Sequence, residues 1–199
     1  MEHNLIFEGL EQNLDTDIPA FASAELEEFA PSMEVQAAEI RDVFMDIPEL
    51  QFENWQNLDV NERVDALQQL ENEVAEIAHR PALGITLETL DPGTLGYCDG
   101  DKIVISDRLL GMDGMYREVL DTVFHEGRHA YQFHNLYSGE VVERNDVLVE
   151  SWRDNFEKLG YESGDWAIFK DIGFLRYKNQ PVEVDARAFA SEVMRTLNL

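Results

Sequence analysis

The run His125-Glu126-Gly127-Arg128-His129 places two imidazoles four residues apart, and that spacing constrains the chain more than any other feature. On a helix, residues i and i+4 project from one face about one turn apart, so both rings can reach a single ion at the roughly 2.0–2.1 Å that zinc requires. Glu126 lies one position round from His125. Its carboxylate then sits beside the ion rather than on it, placed to take a proton from an activated water. The flanks agree with a helix. Val119, Leu120, Val123, Phe124, Ala130 and Tyr131 recur at steps of three and four, which predicts a buried helix over about Met115–Tyr137, stopped by Ser138-Gly139. Gly127 costs such a helix about 1 kcal/mol relative to alanine, which a closely packed neighbouring backbone would account for.

A catalytic zinc site takes three protein ligands and keeps a fourth position for water. A third histidine after a glycine turn is excluded, because Gln132 and Asn135 stand where Gly and His are needed, and His134 points away from the pair. Cys98 is the sole cysteine, which excludes an intramolecular disulfide and a cysteine-built zinc site. A carboxylate is therefore needed, and three stay open: Glu183, Asp185 and Glu150. Asp154, four residues after Glu150, would then orient His125 from behind. In the other readings Asp185 pairs with Arg187, and Arg128 with a surface acid.

Around the motif the chain reads as α+β. Asp59 with Glu62 opens a capped helix carrying Val64, Leu67, Leu70, Val74 and Ile77, ending near His79-Arg80-Pro81, where His79 caps rather than ligates. Short strands follow over Ile85–Leu90, Thr94–Cys98 and Lys102–Ser106, with turns at Asp91-Pro92-Gly93 and Asp99-Gly100; they predict a small, mostly antiparallel sheet against the motif helix. One edge of that sheet would hold an extended peptide by strand pairing. A helix over Val141–Leu159, an aromatic stretch from Tyr161 to Tyr177, and a last helix opened by Pro181 and carrying Val182, Ala186, Phe189, Ala190, Val193 and Leu197 form a C-terminal helical subdomain.

Residues 1–48 hold twelve acidic side chains and one basic one, Arg41, and are expected to form an acidic arm before a body of residues 49–199. A helix over Met33–Asp46 with Val35, Ala38, Ile40, Val43 and Phe44, together with Phe7, Leu10, Phe21, Leu26 and Phe29, predicts docking, on the body of this chain or on a partner, rather than a disordered tail. The whole chain carries Asp+Glu 41 against Lys+Arg 15, a net charge of −26. Such a field repels nucleic-acid phosphates and anionic lipid and favours a basic protein partner for the arm. The first six residues lack the basic start and apolar run of a secretory signal, which predicts a cytoplasmic protein, or one exported without a cleavable signal peptide.

His-Glu-x-x-His followed much later by Glu183-Val184-Asp185-Ala186-Arg187-Ala188-Phe189-Ala190 resembles the gluzincin branch of the zincin metallopeptidases, the ImmA/IrrE-type and anthrax lethal-factor-like peptidases in particular. The resemblance covers about 25 residues in two blocks. It implies a zincin-like fold, His125, His129 and Glu183 as zinc ligands, Glu126 as general base, and Tyr177 as a catalytic hydroxyl placed as in the lethal-factor-like group. Thermolysin-like peptidases would map the third ligand onto Glu150 and an outer aspartate onto Asp154, but Val149 stands where they carry Asn. The function expected is zinc-dependent hydrolysis of a protein or peptide. Its rivals are an acidic interaction module on the same scaffold that cleaves nothing, and a peptidase effector or toxin with one host target.

Overall fold

The computed structural model describes residues 29–162 and 171–199. The first 28 residues, with the arm's Phe7, Leu10, Phe21 and Leu26 and most of its acids, lie outside that range, as does the middle of the aromatic stretch.

Helix α1, Met33–Met45, buries Gln36, Ala37, Ile40 and Phe44. The buried stripe is offset from the expected one, for Val35 and Ala38 face solvent and Gln36 faces inward, its amide donating to the Pro31 carbonyl at 2.7 Å. Ala37, Ile40 and Phe44 belong to the same core as residues far beyond position 48, so this part of the arm is integral to the body. Two short helical turns, Pro48–Leu50 and Phe52–Trp55, lead to α2, Val60–Ile77. The capping box forms as the sequence predicts: Asp59 accepts from the Asn61 and Glu62 amides, and Glu62 accepts from the Asp59 amide at 2.8 Å. His79 turns the chain out of α2 with a left-handed φ of 54° and is no part of any ligand cluster among the described residues.

That turn returns Arg80 onto α2, where its guanidinium meets Glu71 through two bonds of 2.6 and 2.9 Å. Both side chains are 1% exposed, and Glu71 also accepts from the Leu83 amide. This buried pair occupies the space opposite Gly127. A Cβ at Gly127 would lie 3.4 Å from Arg80 Nη2, so the neighbour that the glycine admits is an ion pair, not the backbone expected.

Strands β1 (Gly84–Glu88), β2 (Gly96–Cys98) and β3 (Lys102–Ser106) form one sheet in the order β1-β3-β2. The mostly antiparallel expectation is corrected. β1 pairs with β3 in parallel over five residues, and only the three-residue β2–β3 pairing is antiparallel. The physical reason is the segment around Asp91-Pro92-Gly93. It spans seven residues between β1 and β2, enough to carry the chain past a vacant slot that β3 then fills, whereas a tight hairpin needs about two residues. β3 is thus the central strand, with Ile103, Val104 and Ile105 fully buried. Edge strand β2 lies against the motif helix so closely that a Cβ at Gly96 would come within 2.8 Å of the Thr122 side chain.

Past the helical turns Asp107–Leu110 and Asp113–Met115 comes the motif helix α3, Tyr116–Tyr137. Helix α4, Asp146–Arg153, begins later than Val141 because Val142 and Glu143 donate their amides to Asn135 Oδ1, which holds them in a loop, and Asn145 caps the helix proper. A wide π-helical run, Asp154–Gly160, continues it. Helices α5 (Asp171–Lys178) and α6 (Pro181–Thr196) complete the described chain. Phe189, Ala190 and Val193 of α6 share the main core with the sheet, while Val182 joins Trp152, Val149 and Tyr131 in a second cluster around α4. The expected helical subdomain is therefore bridged to the sheet by α3 and α6, each of which contributes to both clusters. No helix among the described residues is long and apolar enough to cross a membrane.

Removing one partner of a buried ion pair strands the other charge, at a cost of about 3–5 kcal/mol. Glu71→Ala is expected to lose that much in urea unfolding, and Glu192→Ala, whose pair with Arg195 is solvent-facing, far less. Equal losses in the two variants would assign the Glu71–Arg80 pair no special weight.

Candidate metal centre

Helix α3 carries His125 and His129 on the face turned toward the start of α6. Their Nε2 atoms lie 3.1 Å apart, with the rings nearly perpendicular. Glu183 spans the pair, one oxygen 3.4 Å from His125 Nε2 and the other 3.3 Å from His129 Nε2. A tetrahedral ion with bonds of about 2.0–2.1 Å sets its ligand atoms about 3.3 Å from one another. The observed separations match that figure. Among the described residues these three side chains form the group of His, Cys, Asp and Glu able to hold a metal ion.

Glu183 reaches this position because Pro181 fixes the first turn of α6 and Glu183 occupies its third residue, where the helix dipole favours a carboxylate. Ala186 and Ala190, both buried, let α6 approach α3. The carboxylate is fully buried yet accepts from Tyr161 Oη at 2.8 Å and from Arg187 Nη1 at 3.1 Å. Burial alone would raise its pKa, but hydrogen bonds from His125 and His129 outweigh that and hold it well below the usual carboxylate range. Burial lowers the His129 imidazole, and its hydrogen bond to Glu183 and the Glu126 charge more than reverse this, so its net shift is upward.

Glu126 stands beside the cluster, not in it. Its carboxylate is buried, and burial pushes its pKa up against the opposing pull of His129 and His125. The backbone N–H of Cys98 on edge strand β2 reaches it. Burial pushes the Cys98 thiol up to about 12.

The other candidates are elsewhere. Glu150 is exposed and pairs with Arg153, and Asp154 pairs with Lys158, so neither reaches the imidazoles. Asp185 does not pair with Arg187. It accepts two bonds from Arg128, at 2.8 and 3.1 Å, while Arg187 lies on Glu183. Arg128 has Asp185 as its main partner, with the half-buried Glu143 farther off at 3.8 Å; it is buried, stacked over Tyr131, Trp152 and Phe189. Tyr177 is half-buried near Glu183, and burial, reinforced by that charge, raises its hydroxyl pKa. Tyr161, whose ring centroid is 6.4 Å from that of Tyr177, also donates its hydroxyl to Glu183, at 2.8 Å, a contact that the sequence does not announce. Gln132 is a further polar group at the site that the motif does not name. Its Oε1 lies 2.8 Å from His129 Nδ1, and its position three residues after a ligand on one helical face was the available signal.

No protein-family model, curated protein or solved structure matches the chain.

A carboxyl group whose pKa is raised in the fold keeps its proton there after the unfolded chain, with a value near 4.5, has released it. Stability therefore falls as pH rises from that value through the folded-state one. Metal-free Glu126→Gln is expected to unfold at a higher urea concentration than metal-free wild type at neutral pH, with the two midpoints converging below pH 4.5. A gap that stayed constant with pH would remove Glu126 ionisation as its cause.

Proposed function

We propose that the chain is a zinc-dependent metallopeptidase of the gluzincin kind, in which His125, His129 and Glu183 hold the metal and Glu126 is the general base. The observation that carries this reading is the convergence of two imidazoles and one buried carboxylate at ligand separations, with a second buried carboxylate alongside. The donor set itself favours zinc, since nitrogen ligands with a single carboxylate suit that ion better than calcium or magnesium, which take oxygen. Zinc held there would supply Lewis acidity, acidifying water and polarising a substrate carbonyl.

The side chains of the protein do the rest. Glu126, a buried carboxylate one position round from His125, accepts the proton of the attacking water and returns it to the leaving amine. Tyr177 and Tyr161 offer hydroxyls at the same carboxylate ligand, and either can turn from Glu183 to an oxygen bearing developing negative charge.

A peptide substrate is supported by strand β2. It is the edge of the sheet, and bonds between Ser106 and Leu95 and between Asp99 and Lys102 direct the odd-numbered backbone groups at β3. The alternation leaves Gly96 and Cys98 facing outward, and the Cys98 N–H already reaches the base. An extended chain paired to that edge would pass beside Glu126.

Purified, chelator-free protein is expected to contain one equivalent of zinc. Glu126→Gln should keep that zinc while its turnover of a peptide library falls by about 10²–10⁴-fold or more, and His125→Ala should lose the metal. Stoichiometric zinc with no cleavage by wild type would leave a zinc-binding interaction module; undiminished hydrolysis in Glu126→Gln would remove that residue from the mechanism.

A further inference from the structure

His129 makes one contact that ligation itself does not require. Its Nδ1 lies 2.8 Å from Gln132 Oε1, on the side of the ring away from the metal-facing nitrogen. A neutral imidazole carries one proton, so the partner at Nδ1 decides whether Nε2 is a donor or a lone pair. Two acceptors compete for that proton, Gln132 Oε1 at 2.8 Å from Nδ1 and Glu183 Oε1 at 3.3 Å from Nε2; the second already accepts from Tyr161 at 2.8 Å, so the closer contact at Nδ1 prevails provided that the oxygen end of the Gln132 amide faces the ring.

The surroundings of the amide answer that chemically. Its other end lies 3.0 Å from the Val182 carbonyl and 2.8 Å from Asp185 Oδ2. A backbone carbonyl and a carboxylate accept and do not donate, so both N–H bonds of the amide nitrogen are committed to them. Asp185 cannot turn away, because Arg128 holds both its oxygens and is itself clamped against three aromatic rings. Gln132 is completely buried, and His129, Arg128 and Asp185 are nearly so. Reversing the amide would set its oxygen against two other oxygens. The amide oxygen therefore faces His129, and an acceptor there needs a proton on Nδ1.

We propose that Gln132 is a positioning residue that holds His129 as the Nδ1–H tautomer, and that Val182 and Asp185, the residues bracketing Glu183 on α6, set its direction. Docking of α6 thus does two things in one step: it delivers the carboxylate ligand and it bares the Nε2 lone pair of the opposing imidazole. A site whose α6 had not docked would have neither. This rests on His129 being a ligand, but its first test uses no metal and no substrate.

Long-range proton–nitrogen correlation spectra of the full-length, ¹⁵N-labelled, chelator-treated protein report the tautomer directly, at a pH high enough that the imidazole shifts no longer move. The His129 signals are identified by their loss in His129→Ala. Wild type should show the Nδ1–H pattern. Gln132→Glu, which keeps an oxygen toward Nδ1, should retain that pattern although it loses the two donors and is less stable. Gln132→Leu should show a mixture of tautomers and bind zinc about 10–100-fold more weakly. A purely structural role would lower the stability of both variants and move the tautomer in neither. A proton on Nε2 in wild type, or an unchanged pattern in Gln132→Leu, overturns the proposal; if that variant does not fold, the wild-type and Gln132→Glu spectra decide. Zinc binding and the Nδ1–H pattern without any peptide cleavage would instead overturn the peptidase reading and leave this one standing.

Discussion

The contact on which the rest of the molecule depends is the one between Arg128 of the motif helix and Asp185 of the last helix. Each is a charge removed from water, and each would be strongly unfavourable alone. Together, with Gln132 donating to the same Asp185 oxygen and aromatic rings packed over the guanidinium, they form a satisfied buried network that forms only when α3 and α6 meet in one register. That register carries the candidate metal ligands. Glu183 is two residues from Asp185, and His129 is one from Arg128, so an error of one residue in the docking would part the carboxylate from the imidazoles. Apolar packing of Ala186, Phe189 and Ala190 against α3 supplies a driving force without such discrimination; the ion pair supplies the discrimination.

A second buried pair acts on the opposite side of α3. Glu71 and Arg80 fill the space above Gly127, next to the residue read as the general base. The motif helix is therefore held between two buried ion pairs, one belonging to α2 and one to α6. Such arrangements add little net stability over apolar packing, but they penalise misplacement heavily. For a site whose ligand atoms must stand within a few tenths of an ångström of their working separation, that penalty is the useful property.

What was legible in the sequence follows the range of the interactions involved. The motif helix is found to within a residue, and the capping box at Asp59 and the proline start at Pro181 are local patterns that need no tertiary partner. The choice among Glu183, Glu150 and Asp185 needed the third dimension, because all three are acids on helices at plausible distances along the chain. The parallel pairing of β1 with β3 was hidden for the same reason: loop length limits topology but does not choose it. The pairing of Arg187 was a different kind of error. Residues two apart on a helix do not face each other, whereas Glu183 and Arg187 are four apart, so local geometry already favoured the pair that forms. The surface acid expected for Arg128 is present only as a distant partner, Glu143 at 3.8 Å; its main partner Asp185 and the rings of Trp152 and Phe189 that bury it come from two other helices, which no local pattern announces.

The π-helical run after α4 brings in the remaining side of the centre. A π turn is wider than an α turn and is used mostly where a local rearrangement serves a site. Here it carries Phe156 onto Phe133 of the motif helix, 5.2 Å between centroids, and Tyr161 onto Phe156, at 5.6 Å. Asn155 in the same run donates to Gln180, the residue that caps α6, and Gln180 in turn accepts from the Glu162 amide. The wide turn is thus fixed at one end to the helix bearing the imidazoles and at the other to the start of the helix bearing Glu183. Tyr161, held between those anchors, has its hydroxyl on the carboxylate ligand because both helices are in place, not through a local preference of its own. Imidazoles, carboxylate, amide and hydroxyl all take their positions from a single α3–α6 docking event, which is why the centre involves so many buried polar atoms and leaves those of its ligands directed at one point.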